Sequence, residues 1–161
     1  MEGLASAISC VKSREDVDET RLAVIGWGLG ADLALTLAME RTDLRAVVAC
    51  HPTQIPEPRV FERVDTPTLG IFDGAEPDFE VSSVLEFEHS LRALDKNVQM
   101  IVYPSAGRAF MDPHNETAYR AGSAREAWAN IHAFFSVTLA KKQRDVRGGL
   151  GRPSGRSLPR R

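Results

Sequence analysis

The chain is poor in the features that would take it outside the ordinary globular class. Cys10 and Cys50 are its two cysteines in 161 residues, too few for a disulfide framework, so a reducing, cytoplasmic setting is expected. No apolar run approaches the roughly 18 residues that a membrane span needs. The N-terminus also lacks the basic, then apolar, layout of a leader, so no membrane contact is expected. The four histidines, His51, His89, His114 and His132, are scattered without metal-ligand spacing, and neither a metal nor another cofactor is expected.

With 43% hydrophobic and 26% charged residues, the chain can build one domain with a core of its own. The net charge of −2 hides an asymmetry. Eight of the twenty basic residues but one of the twenty-two acids fall in 141–161, leaving an acidic body of twelve basic and twenty-one acidic residues in 1–140. The tail is rich in Gly, Pro, Ser and Arg. It has too few apolar groups to offset its ordering entropy, so disorder is expected over 141–161. No aromatic residue is interleaved among its arginines, and at most it makes a weak, salt-sensitive contact with a polyanion.

Within 1–140, four short apolar runs read as strands covered on both faces: Leu22–Gly26, Ala46–Cys50, Thr68–Phe72 and Val98–Tyr103. Helical patterns over about 3–14, 29–41, 82–95 and 120–140 separate or flank them. Leu29, Leu33, Leu37 and Ala38 share one face of the second; Val84, Leu85, Phe87, Leu91 and Leu94 give the third its stripe. The fourth carries Ala124, Ala127, Trp128, Ile131, Phe134, Phe135 and Leu139. Strands alternating with helices predict an α/β fold with a parallel sheet of about four strands. Ligands in such sheets bind beyond the carboxyl ends of the strands, which here are the loops beginning at Gly26, Cys50, Asp73 and Pro104.

The first loop fits two templates. Gly26-Trp27-Gly28-Leu29-Gly30-Ala31 satisfies the G-x-G-x-x-A turn of dinucleotide sites, whose helix N-terminus receives a pyrophosphate. The acid that would hold the ribose is missing at the end of the next strand, which reads Cys50-His51. The same residues also fit G-x-nucleophile-x-G, the sharp strand-to-helix elbow of α/β hydrolases. The nucleophile position is then Gly28, which has no attacking atom.

From this elbow onward the chain resembles the dienelactone hydrolase family. Arg21-Leu22-Ala23-Val24-Ile25-Gly26-Trp27-Gly28-Leu29-Gly30 is similar to its nucleophile strand, Thr66-Pro67-Thr68-Leu69-Gly70-Ile71-Phe72-Asp73-Gly74-Ala75-Glu76-Pro77-Asp78 to the strand that leads to its catalytic acid. Tyr103-Pro104-Ser105-Ala106-Gly107-Arg108-Ala109-Phe110-Met111 is similar to the segment carrying its general-base histidine, and Ala127-Trp128 is family-like. The resemblance covers about 3–139, the C-terminal part of the fold. It implies an ester or lactone hydrolase with a Cys nucleophile, a His base and an orienting acid.

Position by position, those roles fall on Gly28, on Arg108, and on Glu76 with Asp78 as the alternative register. Gly28 has no thiol, and Arg108 stays protonated and can neither take nor return a proton. Losing such a group costs about a million-fold in turnover, so the chain is expected to be inactive. One oxyanion donor, the Leu29 N–H, would survive; its usual partner lies upstream in the family. Relocated chemistry would have to come from Cys50, whose neighbour His51 points to the opposite face of an extended strand, or from His114, which reaches the site only if its loop is mobile. Arg108 is expected to pair with Glu76 or Asp78, or else to hold a small anionic or ester ligand. Without upstream strands, Leu22–Gly26 is an unpaired apolar edge, which predicts a homodimer or a partner chain there.

Overall fold

The computed structural model describes residues 2–75 and 80–140. The candidate acids Glu76 and Asp78 and the basic tail lie outside the described residues. Four parallel strands, β1 (Ala23–Trp27), β2 (Ala46–Cys50), β3 (Thr68–Asp73) and β4 (Val98–Tyr103), form one sheet in the order β1-β2-β3-β4. Four α-helices accompany them: α1 (Glu2–Lys12), α2 (Leu29–Glu40), α3 (Val81–Ala93) and α4 (Ala121–Thr138). The α/β architecture and its parallel sheet are those expected.

Side chains alternate across the sheet with the strand period of two, so it carries two cores. Val47, Ala49, Phe72, Val98 and Met100 meet α2 and α3 on one face; Leu4 and Ile8 of α1 pack against the same cluster. Val48, Cys50, Leu69, Ile71 and Tyr103 meet Ala124, Ala127 and Ile131 of α4 on the other. Every residue of β2 and β3 is buried, whereas β1 is mostly half-buried and pairs with β2 alone among the described residues. The sequence of β1 is of the buried type; its place at the end of the order leaves it exposed.

Several details differ from the sequence reading. β1 begins at Ala23 and takes in Trp27, and Asp73 is the buried last residue of β3 rather than the first of a loop. The apolar face of α2 is made by Ala31, Ala34, Leu35, Leu37 and Ala38, while Leu29 and Leu33 stand exposed. The cause is close packing. A Cβ on Gly26 would lie 2.0 Å from the Gly30 carbonyl oxygen, so α2 approaches β1 on a face of small residues and turns these two leucines outward. On α3 the buried set is Val84, Phe87 and Leu91, with Leu85 and Leu94 exposed; Trp128 of α4 is likewise exposed.

Candidate active site

The carboxyl ends of β1 and β2 converge on a cavity of about 460 Å³ lined by Trp27, Gly28, His51, Arg108, Ala109, Met111, Asp112 and Trp128. Gly28 makes the bend into α2 with φ 55° and ψ −124°, the sharp elbow that the glycine pattern implied. The left-handed φ favours glycine, and a Cβ built there meets nothing within 4 Å. Its N–H donates to the Cys50 carbonyl at 2.9 Å, which ties the elbow to the end of β2. The Gly28 carbonyl accepts from the Ala31 and Asp32 N–H groups at 2.8 and 3.3 Å. The N–H groups of Leu29 and Gly30 therefore precede the helical ladder and have no acceptor within α2.

Backbone strain is concentrated here. His51, with φ 51°, and Ala109, with φ 63°, also adopt left-handed backbone, so three of the four described residues with φ above zero line this cavity. Such strain gathers at functional sites, where the surrounding structure must hold it. At His51 the holding groups are visible. Its N–H donates to the Ile71 carbonyl at 2.8 Å, and its ring meets Phe110 edge-on with centroids 4.9 Å apart.

His51 Nδ1 lies 3.0 Å from Asp73 Oδ1, with the two side chains 5% and 3% exposed. The Nε2 atom is itself buried and has no hydrogen-bond partner among the described residues. Burial pushes the Asp73 carboxyl up. The His51 hydrogen bond and charge, a backbone hydrogen bond and the Arg108 charge together outweigh it, leaving the carboxyl below its ordinary value. When the imidazole is neutral, a carboxylate on Nδ1 selects the tautomer with its hydrogen there and leaves the lone pair on Nε2.

This pair escaped the sequence reading, which weighed His51 only as a partner of Cys50. Those two do diverge: Cys50 is fully buried in the α4-side core, where burial pushes its thiol up to about 12. The legible signal was topological. β2 and β3 are neighbours with Cys50 in register with Ile71, so His51, the first residue past β2, comes close to Asp73, the last residue of β3.

Of the candidate residues, the structure brings Gly28 and Arg108 to one cavity and places Leu29 at the opening of α2. Arg108 is an exposed residue of the turn after β4, and its charge acts on Asp73. His114 is exposed in a turn closed by its N–H to Asp112 Oδ1 at 2.9 Å, and it does not line the cavity. His89 and His132 are exposed on α3 and α4. Trp27 and Trp128, with centroids 5.8 Å apart, make an apolar wall. No group of three or more potential metal ligands occurs among the described residues. No helix among them is long and apolar enough to cross a membrane.

The model of the dienelactone hydrolase family matches residues 1–139. The chain belongs to the dienelactone hydrolase family. A Yersinia pestis protein provisionally named carboxymethylenebutenolidase is 29% identical over 133 residues, covering 77% of this chain and 49% of that one. An uncharacterized Caenorhabditis elegans protein is 28% identical over 147 residues, covering 85% of this chain and 92% of that one. A Klebsiella pneumoniae crystal structure, provisionally titled a dienelactone hydrolase, superposes with a TM-score of 0.75 at 23% identity over 83% of this chain and 59% of that one. This last likeness shows the α/β-hydrolase fold. The chain spans about half the length of the bacterial relatives it matches.

Proposed function

We propose that this dienelactone hydrolase-family domain lacks the covalent chemistry of ester hydrolysis while keeping the cavity in which such chemistry takes place. Gly28 carries the reading: the bend that would present a nucleophile is built, and its residue offers no atom that can attack a carbonyl. The base position adds to it, because Arg108 cannot accept a proton at physiological pH. Neither relocated candidate supplies the missing part. The Cys50 thiol is buried away from the cavity with its pKa pushed up to about 12, and His114 lies outside the cavity lining.

What remains suits non-covalent binding of a small ester, lactone or carboxylate. Its apolar portion would lie against Trp27, Met111 and Trp128, and its oxygens toward Arg108 and the first N–H groups of α2. A dinucleotide has less support, since no acid follows β2 within Ala46–His51. The edge of β1 suits a second copy or a partner chain, the tail a weak polyanion contact, and the two unpaired cysteines a cytoplasmic setting.

The test is covalent trapping. The full chain is incubated with p-nitrophenyl acetate or a fluorophosphonate probe and examined by intact mass and peptide mapping. No adduct is expected on the peptide containing residues 26–30; a stoichiometric one there overturns the reading.

A further inference from the structure

We infer that a second cavity, at the amino ends of the strands, binds the phosphate group of a small phosphorylated molecule, with Arg45 as its anchor. This cavity measures about 560 Å³, ample for a small molecule and larger than the one at the elbow. It is lined from the last turns of α2 and α4 and from the residues that lead into β2, β3 and β4. The strands are parallel, so it lies at the opposite pole of the sheet from Gly28, and it shares no residue with the elbow cavity.

Pairing among the charges of this cavity leaves one cation over. Asp43 holds Arg41 through two hydrogen bonds of 2.8 and 2.6 Å, and Lys96 holds Asp65 at 3.1 Å. Arg45 is half-buried, and its guanidinium has no hydrogen-bond or ion-pair partner among the described residues. The carbonyl ends of α2 and α4, which attract cations, have caps of their own. The Arg41 N–H donates to the Leu37 carbonyl and the Leu139 N–H to that of Phe135, each at 2.9 Å. The Arg21 side chain donates to the Leu139 carbonyl at 2.6 Å. Arg45 therefore caps neither helix, and an oxyanion would relieve the cost of a half-buried, unpaired charge.

Three neutral donors share the cavity with it. Thr66 is only 7% exposed, and its hydroxyl makes no hydrogen bond among the described residues. The side chains of Thr42 and Asn97 are equally unengaged. His51 Nε2 is the one sealed, unpartnered side-chain atom among the described residues. The Arg45 guanidinium and the Thr66 hydroxyl therefore keep access to solvent, and for the nearly buried Thr66 that access is the cavity. The backbone beneath them is pinned strand to strand. The Arg45 N–H donates to the Leu22 carbonyl at 2.7 Å, Val47 to Pro67 at 2.9 Å and Thr68 to Asn97 at 3.0 Å. Four donors on a fixed frame suit phosphate, with its three or more acceptor oxygens, better than a carboxylate with two. Ala38, Leu44 and Val137 offer apolar surface to the organic part.

The full chain is titrated with phenyl phosphate, inorganic phosphate and benzoate against sodium chloride of equal ionic strength, and binding is followed by amide NMR shifts. Saturable binding of phenyl phosphate is expected, tighter than that of the other two, with shifts at residues 42–45, 66 and 97. Arg45→Gln weakens it at least about tenfold, the worth of a charge-assisted hydrogen bond. Thr66→Val weakens it about two- to tenfold and decides the matter if Arg45→Gln fails to fold, full binding then counting against the site. Arg108→Gln, at the other pole, leaves it as it was. Absence of saturable binding overturns the inference. So does undiminished binding to a folded Arg45→Gln protein, which assigns the anion to basic residues elsewhere, 141–161 included. An equal loss in Arg108→Gln moves the anion to the elbow cavity and also overturns it. Benzoate bound as tightly as phenyl phosphate overturns the choice of phosphate.

Discussion

Two neighbouring strand ends in this protein reach a positive φ by opposite means. Gly28, after β1, has φ 55°, and His51, after β2, has φ 51°. The first is reached by leaving out a side chain, which makes a left-handed turn free of steric cost. The second carries an imidazole through a conformation that costs about 1–2 kcal/mol for a residue with a Cβ. A buried hydrogen bond to Asp73 and an edge-on contact with Phe110 hold it. The elbow therefore depends on absence and the histidine on partners, and the two should fail in different ways.

The largest expected effect lies on the side of absence. Gly26→Ala places a methyl 2.0 Å from the Gly30 carbonyl oxygen and 2.8 Å from the Ala31 nitrogen, backbone atoms that cannot rotate away. The helix must back off from the sheet, and the loss is expected at or above the upper end of overpacking costs, about 3 kcal/mol. Urea denaturation measures it. A variant as stable as the wild type would mean that α2 is not held by this contact.

On the side of partners, Asp73→Ala strands a buried imidazole and is expected to cost about 1–3 kcal/mol. The pair also fixes a pH dependence. Asp73 is held below its ordinary value in the fold, so its pairing stabilises fully above the unfolded carboxylate value of about 4 and is lost as pH falls through the lower folded value. The gap in Tm between the wild type and Asp73→Asn is expected to be wide at neutral pH and to narrow below about pH 4. A gap that stays constant from neutral to acid pH would show that the carboxylate charge adds nothing.

The same contrast explains what could be read from the sequence. Strands and helices were legible because short apolar runs between turn residues mark a sheet covered on both faces. β2 and β4 fall where those runs do, at Ala46–Cys50 and Val98–Tyr103. The elbow was legible because glycines in a fixed local spacing announce themselves. The outward turn of Leu29 and Leu33 was not, since helical periodicity carries no record of how near the neighbouring strand comes. His51 and Asp73 were missed for a related reason. They are 22 residues apart, and only the adjacency of β2 and β3 brings them together.

A smaller effect separates shape from space at the elbow. Gly28→Ala meets no neighbouring atom within 4 Å, so its cost should be that of the backbone conformation alone, φ 55° with ψ −124°, about 1–3 kcal/mol. Thermal unfolding checks this, and a loss as large as that of Gly26→Ala would mean that the space beside the elbow is not open.

The smallest effect joins the two ends. Asp32, in the first turn of α2, accepts from the Thr53 N–H at 2.9 Å and from the Thr53 hydroxyl, so the helix that starts at the elbow also grips the segment that leaves His51. Its bonds are exposed, and a carboxylate near a helix N-terminus contributes only a few tenths of a kcal/mol to about 1. Asp32→Ala is expected to cost about 0.5–1.5 kcal/mol, the worth of an ordinary hydrogen bond. A larger consequence should appear at His51, because a loosened Thr53 frees the backbone just beyond a strained residue. Faster amide exchange at His51 and Thr53, with Gly28 unchanged, is the expected pattern. Equal acceleration at both ends would mean that the elbow and the histidine open as one unit and that their independence is only apparent.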